Sequence, residues 1–253
     1  MYYNDINKCF VEYLSSKGIK CVDNFHDFNK VNGMTSSTIK EQINIISEFH
    51  RITLGYTGRM NKRLENNIGK TIEQYKVYIK RVDKQLKDIK ENGANNKFEE
   101  LLLNQGEFYL DRAKKCISII YKNDYVGLIL RSMERVEMCL GNTYFNNLRK
   151  RDNIEIIDMN CCSYNLSEMD VIYLLSKIKR KKIKVDFSNL ALEFCELESL
   201  DNKSCNFILA SMSYPCEFMK WCNRYRGNNK SFTKEQYDIK LKKAIVLDGE
   251  SLI

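Results

Sequence analysis

Apolar residues recur at intervals of three and four from Leu64 onward, at Ile68, Ile72, Tyr75, Ile79, Val82, Leu86 and Ile89, and this run constrains the fold more than any other feature of the chain. That spacing puts the side chains on one helical stripe, so the segment is one long helix or two collinear ones packed against a partner. Glu91 to Asn96 breaks the run with Asn and Gly, and Phe98 opens a second helical pattern that continues towards Tyr121. The two halves therefore form an antiparallel pair. Helical spacing returns at Glu168 to Lys179, Phe187 to Leu197, Ser204 to Met212, Glu217 to Tyr225 and Thr233 to Val246, with Pro215 suited to a helix start.

The front of the chain is more mixed. Ile6 to Leu14 is an amphipathic helix ending near Gly18, Ile19 to Val22 is strand-like, and Asn24 to Ser37 is polar loop. Ser37 or Thr38 caps a helix reaching Phe49, whose buried face is Ile39, Ile43, Ile46 and Phe49. Short apolar stretches at Arg135 to Leu140 and Ile154 to Ile157 read as small strands, joined through the polar turn Arg149 to Asn153. Few strands among many helices give an α+β fold, predominantly helical.

With 253 residues and 43% hydrophobic content, the chain can bury the core of one dominant domain. No apolar run approaches the roughly twenty residues needed to cross a bilayer. The start, Met1 to Asp5, lacks the basic head and apolar body of an export signal, so cytoplasmic synthesis is expected. The ten cysteines include no Cys-x-x-Cys pair and mostly sit in apolar stretches; buried free thiols are expected rather than zinc ligands. His26 and His50 add little to a metal case, and His50 is expected to order the turn after its helix. The net charge of +8 raises nucleic-acid binding, with Lys179 to Lys182 and Lys184 as its densest patch. That patch falls between two helices as a solvated connector, and Tyr75, Tyr78 and Phe98 form no strand-borne stacking platform, so nucleic acid is not the expected partner.

The chemistry lies in Leu140 to Asn147 and in Ile157-Asp158-Met159. Kinase-type phosphoryl transfer uses an Asp to orient and deprotonate the substrate hydroxyl, an Asn five residues later to hold a metal ion, and an Asp on a following strand end to hold the metal that bridges the phosphates. Asn147 and Asp158 stand at the offsets of the two metal ligands. The position of the catalytic base is Asn142, whose amide accepts a hydrogen bond but cannot take the proton.

The chain resembles the spore-coat protein family of the CotS type, kinase-like proteins related to aminoglycoside and choline phosphotransferases. The resemblance runs from about Asn4 to Lys243 and is carried by Glu48-Phe49-His50 with Gly55-Tyr56, by Leu140-Gly141-Asn142 where the family has His-Gly-Asp, and by Asn147 and Ile157-Asp158-Met159. Further back it rests on Asp170, twelve residues past Asp158, on the Tyr214 to Lys220 segment and on Tyr225. It implies a protein-kinase-like, mostly helical C-terminal lobe over residues 38–253, with residues 1–37 as the remnant of an N-terminal lobe. A family member with the full front lobe carries a phosphate-anchoring Lys on a strand and a covering loop; no Gly-rich loop with such a strand precedes Phe49 here. The resemblance therefore implies a noncatalytic structural or interaction protein of the bacterial spore coat, partnered by a coat or other protein or by a separately encoded complementing lobe. No cofactor is expected beyond weak magnesium at Asn147 and Asp158. The alternatives are an ATP- and magnesium-dependent phosphotransferase acting on a small hydroxyl compound and, third, a basic nucleic-acid-binding protein.

Overall fold

The computed structural model describes residues 8–25, 34–57, 64–227 and 232–253. His26 and much of the Asn24 to Ser37 segment lie outside them. In chain order the elements are α1 (Lys8–Ser16), β1 (Ile19–Cys21), α2 (Ser36–Thr53), β2 (Glu65–Asn66), α3 (Lys70–Asn92), α4 (Lys97–Lys122), α5 (Tyr125–Arg135) and β3 (Met138–Cys139). They continue with β4 (Leu148–Lys150), β5 (Ile154–Ile156), β6 (Ser163–Tyr164), α6 (Glu168–Arg180), α7 (Phe187–Leu197), α8 (Asn202–Ser213), α9 (Cys216–Arg226) and α10 (Lys234–Asp248). The fold is α+β and mostly helical. No helix among the described residues is long and apolar enough to cross a membrane.

By its internal contacts the chain forms two units, Met1–Gly69 with Asp124–Ile208, and Lys70–Asn123 with Leu209–Ile253. Among the described residues all six strands lie in the first. In one small sheet β5 lies between β1, parallel to it with Ile19 opposite Ile154, and β4, antiparallel with Leu148 opposite Ile156. In the other, β6 lies between β2 and β3. The two stretches expected to form one hairpin therefore separate: Met138 and Cys139 pair with Tyr164 and Ser163, and the hairpin at Asn153 joins β4 to β5 instead. Arg135 is still helical, because α5 runs to it before Val136 turns left-handed at φ 51°.

Helix α2 begins earlier than expected. Thr35 rather than Ser37 or Thr38 is its cap: the Thr35 hydroxyl accepts from the Thr38 amide at 3.3 Å while Thr38 Oγ1 accepts from the Thr35 amide at 3.0 Å. This reciprocal pair satisfies two donors that the first helical turn leaves without partners. The helix also continues past Phe49-His50 to Thr53, which buries both residues inside a turn rather than at an end.

In the second unit α3 and α4 form the expected antiparallel pair, with Lys114 reaching Asp83 and Lys76 reaching Tyr121. Gly106 lets α4 approach closely, since a Cβ there would lie 2.7 Å from Leu86 Cδ2. Val82, Leu86, Phe98, Leu102, Phe218 and Leu241 fill this core. Pro215 caps α9 as expected, and the first amides of that helix donate to Asp248 from Glu217 at 3.0 Å and Phe218 at 2.8 Å. Burial raises the Asp248 carboxyl to about 6, against the lowering effect of those two amides.

Candidate functional site

The loop from β3 to β4 is held from beneath by one carboxylate. Asp170, in the first turn of α6 and 0% exposed, accepts the amides of Leu140 and Gly141, each at 2.8 Å, while its backbone carbonyl accepts the Thr143 hydroxyl at 2.8 Å. Gly141 turns the chain at φ +79°, and a Cβ there would lie 2.5 Å from the Cys161 carbonyl oxygen. Only glycine meets both the left-handed backbone and the close approach. From the other side Gln42 of α2 donates to the carbonyls of Thr143 and Leu148, both at 2.9 Å, and so ties the two ends of the loop to one helix.

Asp170 is itself braced by His50, and here the expectation for that residue is corrected. Rather than ordering the turn after α2, the imidazole bridges two buried carboxylates, with Nε2 3.0 Å from Asp170 Oδ2 and Nδ1 3.0 Å from Glu198 Oε1. Burial alone lowers the imidazole pKa. The hydrogen bonds and charges of Asp170 and Glu198 outweigh it and raise the value to about 10, so His50 is an imidazolium at neutral pH. Cys139 Sγ lies with the His50 and Asp170 donor atoms inside 4.8 Å, a grouping with the atoms for a metal. The geometry is already that of a hydrogen-bonded ion pair, and the thiol donates to the Leu166 carbonyl at 3.0 Å. A second charged knot braces the flanks, where Arg131 of α5 bridges Glu137 at 3.1 Å and Glu168 at 2.8 Å.

The structure brings Asn142, Asn147 and Asp158 together. Asn147, 2% exposed, donates from Nδ2 to the carbonyls of Asn142 at 2.8 Å and Asp158 at 2.9 Å, and its Oδ1 accepts the Asp158 amide at 2.7 Å. Asp158 Oδ1 accepts the Asn160 amide at 2.8 Å. Its other oxygen and the second lone pair of Asn147 Oδ1 are hard donors of the kind that would hold a magnesium ion. Asn142 Oδ1 accepts the Tyr173 hydroxyl at 3.0 Å. The residue expected at the base position thus presents a neutral amide oxygen already hydrogen-bonded to a phenol.

Sequence reasoning missed Gln42, Glu198 and Tyr173. Only Tyr173 carried a local signal: with Lys177 and Lys181 it recurs every fourth residue along α6, on the stripe that meets Tyr144. Lys177 Nζ stands 4.5 Å from the Tyr173 ring centroid and 4.9 Å from that of Tyr144, and Lys181 Nζ stands 4.7 Å from the Tyr144 centroid.

No protein-family model matches this sequence, and no curated protein matches it. Among solved structures, an aminoglycoside phosphotransferase from Alicyclobacillus acidocaldarius superposes with a TM-score of 0.64 at 12% identity, over 83% of this chain and 61% of that one. The chain therefore has an aminoglycoside-phosphotransferase-like, kinase-like fold. It spans 61% of the length of that enzyme.

Proposed function

We propose that this chain is a noncatalytic, kinase-like interaction protein, of the spore-coat class its motifs resemble. One observation supports the reading: the side-chain oxygen of Asn142, the residue that the motif resemblance sets where a phosphotransferase needs a carboxylate, is engaged by Tyr173. General bases contribute roughly a hundred- to ten-thousand-fold to such reactions, and an amide supplies none of that proton acceptance. The loop nevertheless keeps its support in Asp170, His50 and Gln42. A rigid, correctly shaped loop without its base is what a binding scaffold derived from an enzyme requires. Bound magnesium would supply charge neutralisation for phosphates; Asp158 and Asn147 would hold it.

Calorimetry with ATP and magnesium tests this reading. The expected result is no saturable heat at working concentrations. Micromolar affinity would contradict it. A residual phosphotransferase is the second reading, favoured by the convergence of Asn147 and Asp158 within one hydrogen-bonded unit of a phosphotransferase fold.

A further inference from the structure

We propose that the face beside Asn142, built from Tyr144, from Tyr173 and Lys177 of α6 and from Lys181 at its C-terminal cap, docks an acidic segment of a partner protein. The proposal rests on the noncatalytic reading and names the partner chemistry of the same site. Two ammonium groups, Lys177 and Lys181, lie within 4.9 Å and 4.7 Å of a single ring centroid, that of Tyr144, and Lys181 also donates to its hydroxyl. Among the described residues no carboxylate pairs with either. Other lysines of this unit are paired: Lys40 with Glu193, Lys150 with Glu48 and Lys203 with Asp124. Basic residues in a last helical turn commonly offset the helix dipole. Here the two ammoniums turn instead onto rings, Tyr144 in the loop and Tyr173 on the preceding turn. Like charges at positions four apart repel, and an anion seated between them relieves that repulsion.

The polarity of the face agrees. With its oxygen taken by Tyr173, Asn142 has Nδ2 left as a donor that bonds nothing among the described residues. Asn142 thus adds a donor to the two ammoniums, where a phosphotransferase would offer an acceptor to a hydroxyl. A polyamine such as an aminoglycoside meets the like charge of Lys177 and Lys181 here. Nucleic acid is disfavoured because a stacking base needs an open aromatic face, and Tyr144 is buried beneath its two lysines. Carboxylates closely spaced along a peptide satisfy the two ammoniums and the amide together.

The test measures fluorescence anisotropy of a fluorescein-labelled hexaglutamate peptide at low ionic strength with three intact proteins. These are the native chain, Lys177→Gln/Lys181→Gln, and Lys80→Gln/Lys84→Gln, which removes two exposed lysines at the same spacing from α3. Saturable binding is expected, weakened about tenfold or more in the first variant and less than about twofold in the control. Unlabelled hexathymidylate should compete at least roughly tenfold more weakly than unlabelled hexaglutamate. Equal loss in both variants would reduce the effect to bulk charge and overturn the proposal, as would absence of binding or tighter binding of the oligonucleotide. Urea unfolding of each protein confirms that both variants are folded. Magnesium-dependent ATP consumption is measured on the same samples: turnover there would defeat the noncatalytic reading, whereas lost peptide binding without turnover defeats only the docking surface.

Discussion

Between pH 6.5 and 8, His50 should make this protein lose stability as the pH rises. His50 has a pKa of about 10 in the folded chain against 6.5 as its ordinary value. The folded state therefore keeps a proton that the unfolded state gives up as pH rises. Stability from this group is complete below 6.5, falls between 6.5 and 10, and is gone above the folded pKa. Each pH unit in that window costs up to about 1.4 kcal/mol, so the rise to pH 8 should cost about 1.5–2 kcal/mol. Asp248, at about 6, titrates mostly below this window, and burial holds the thiols of Cys139, Cys162 and Cys222 protonated to well above it. Cys205, lowered to about 7 by its hydrogen bond with Cys195, titrates inside it in the opposite sense, so the histidine's share is the difference between the native chain and His50→Gln. Urea unfolding at pH 6.5 and 8 measures the loss. In His50→Gln the extra slope should vanish while the remaining buried carboxylates, Asp170 and Glu198, lower stability by about 3–5 kcal/mol. With only two histidines in the chain, NMR of ring-labelled protein reads the cause directly. One histidine should keep its imidazolium shifts at pH 8. Two histidines both titrating near 6.5 would refute the buried ion pair and the support it gives to the loop.

Gly141→Ala should destabilise by about 2–4 kcal/mol, from left-handed strain and from a Cβ forced against the Cys161 carbonyl, as read in chemical denaturation. Gln42→Ala leaves the carbonyls of Thr143 and Leu148 without their buried donor and should cost about 2–3 kcal/mol, with faster amide exchange at Leu140 and Gly141 than in the native chain. Asn142→Asp should keep the Tyr173 hydroxyl bond, now charge-assisted, and produce no robust phosphotransfer; Asn142→Asp/Tyr173→Phe tests whether that bond adds to the silence.

Helices were legible in the sequence wherever apolar spacing reports burial. The expected Phe187 to Leu197 helix has those bounds, and those at Glu168, Ser204, Glu217 and Thr233 lie within two or three residues of α6, α8, α9 and α10. Helix α5 escaped because its apolar residues lie on both faces, Tyr125 and Leu128 buried but Val126, Leu130 and Met133 exposed, so they do not single out the core face. Strand pairing escaped for another reason. Strands of two or three residues are too short to show a period, and β3 meets β6 rather than β5 through tertiary placement. At the site, the spacing that brings Asn142, Asn147 and Asp158 together was visible because it is local. The brace was not: His50 finds Asp170 across 120 residues and Glu198 across 148, and no single-sequence pattern pairs residues so distant.

Under the proposed function, the loop from β3 to β4 keeps the shape of a phosphotransferase loop without its base. The most direct test of that reading is magnesium-dependent ATP consumption by the native protein, Asn142→Asp and Asp158→Ala, across small alcohols and aminoglycosides. No substrate-dependent turnover by the native chain is the predicted result. Turnover by the native chain that disappears in Asp158→Ala would contradict the account, because it would place a working metal site beside Asn142 and require a proton acceptor other than that amide.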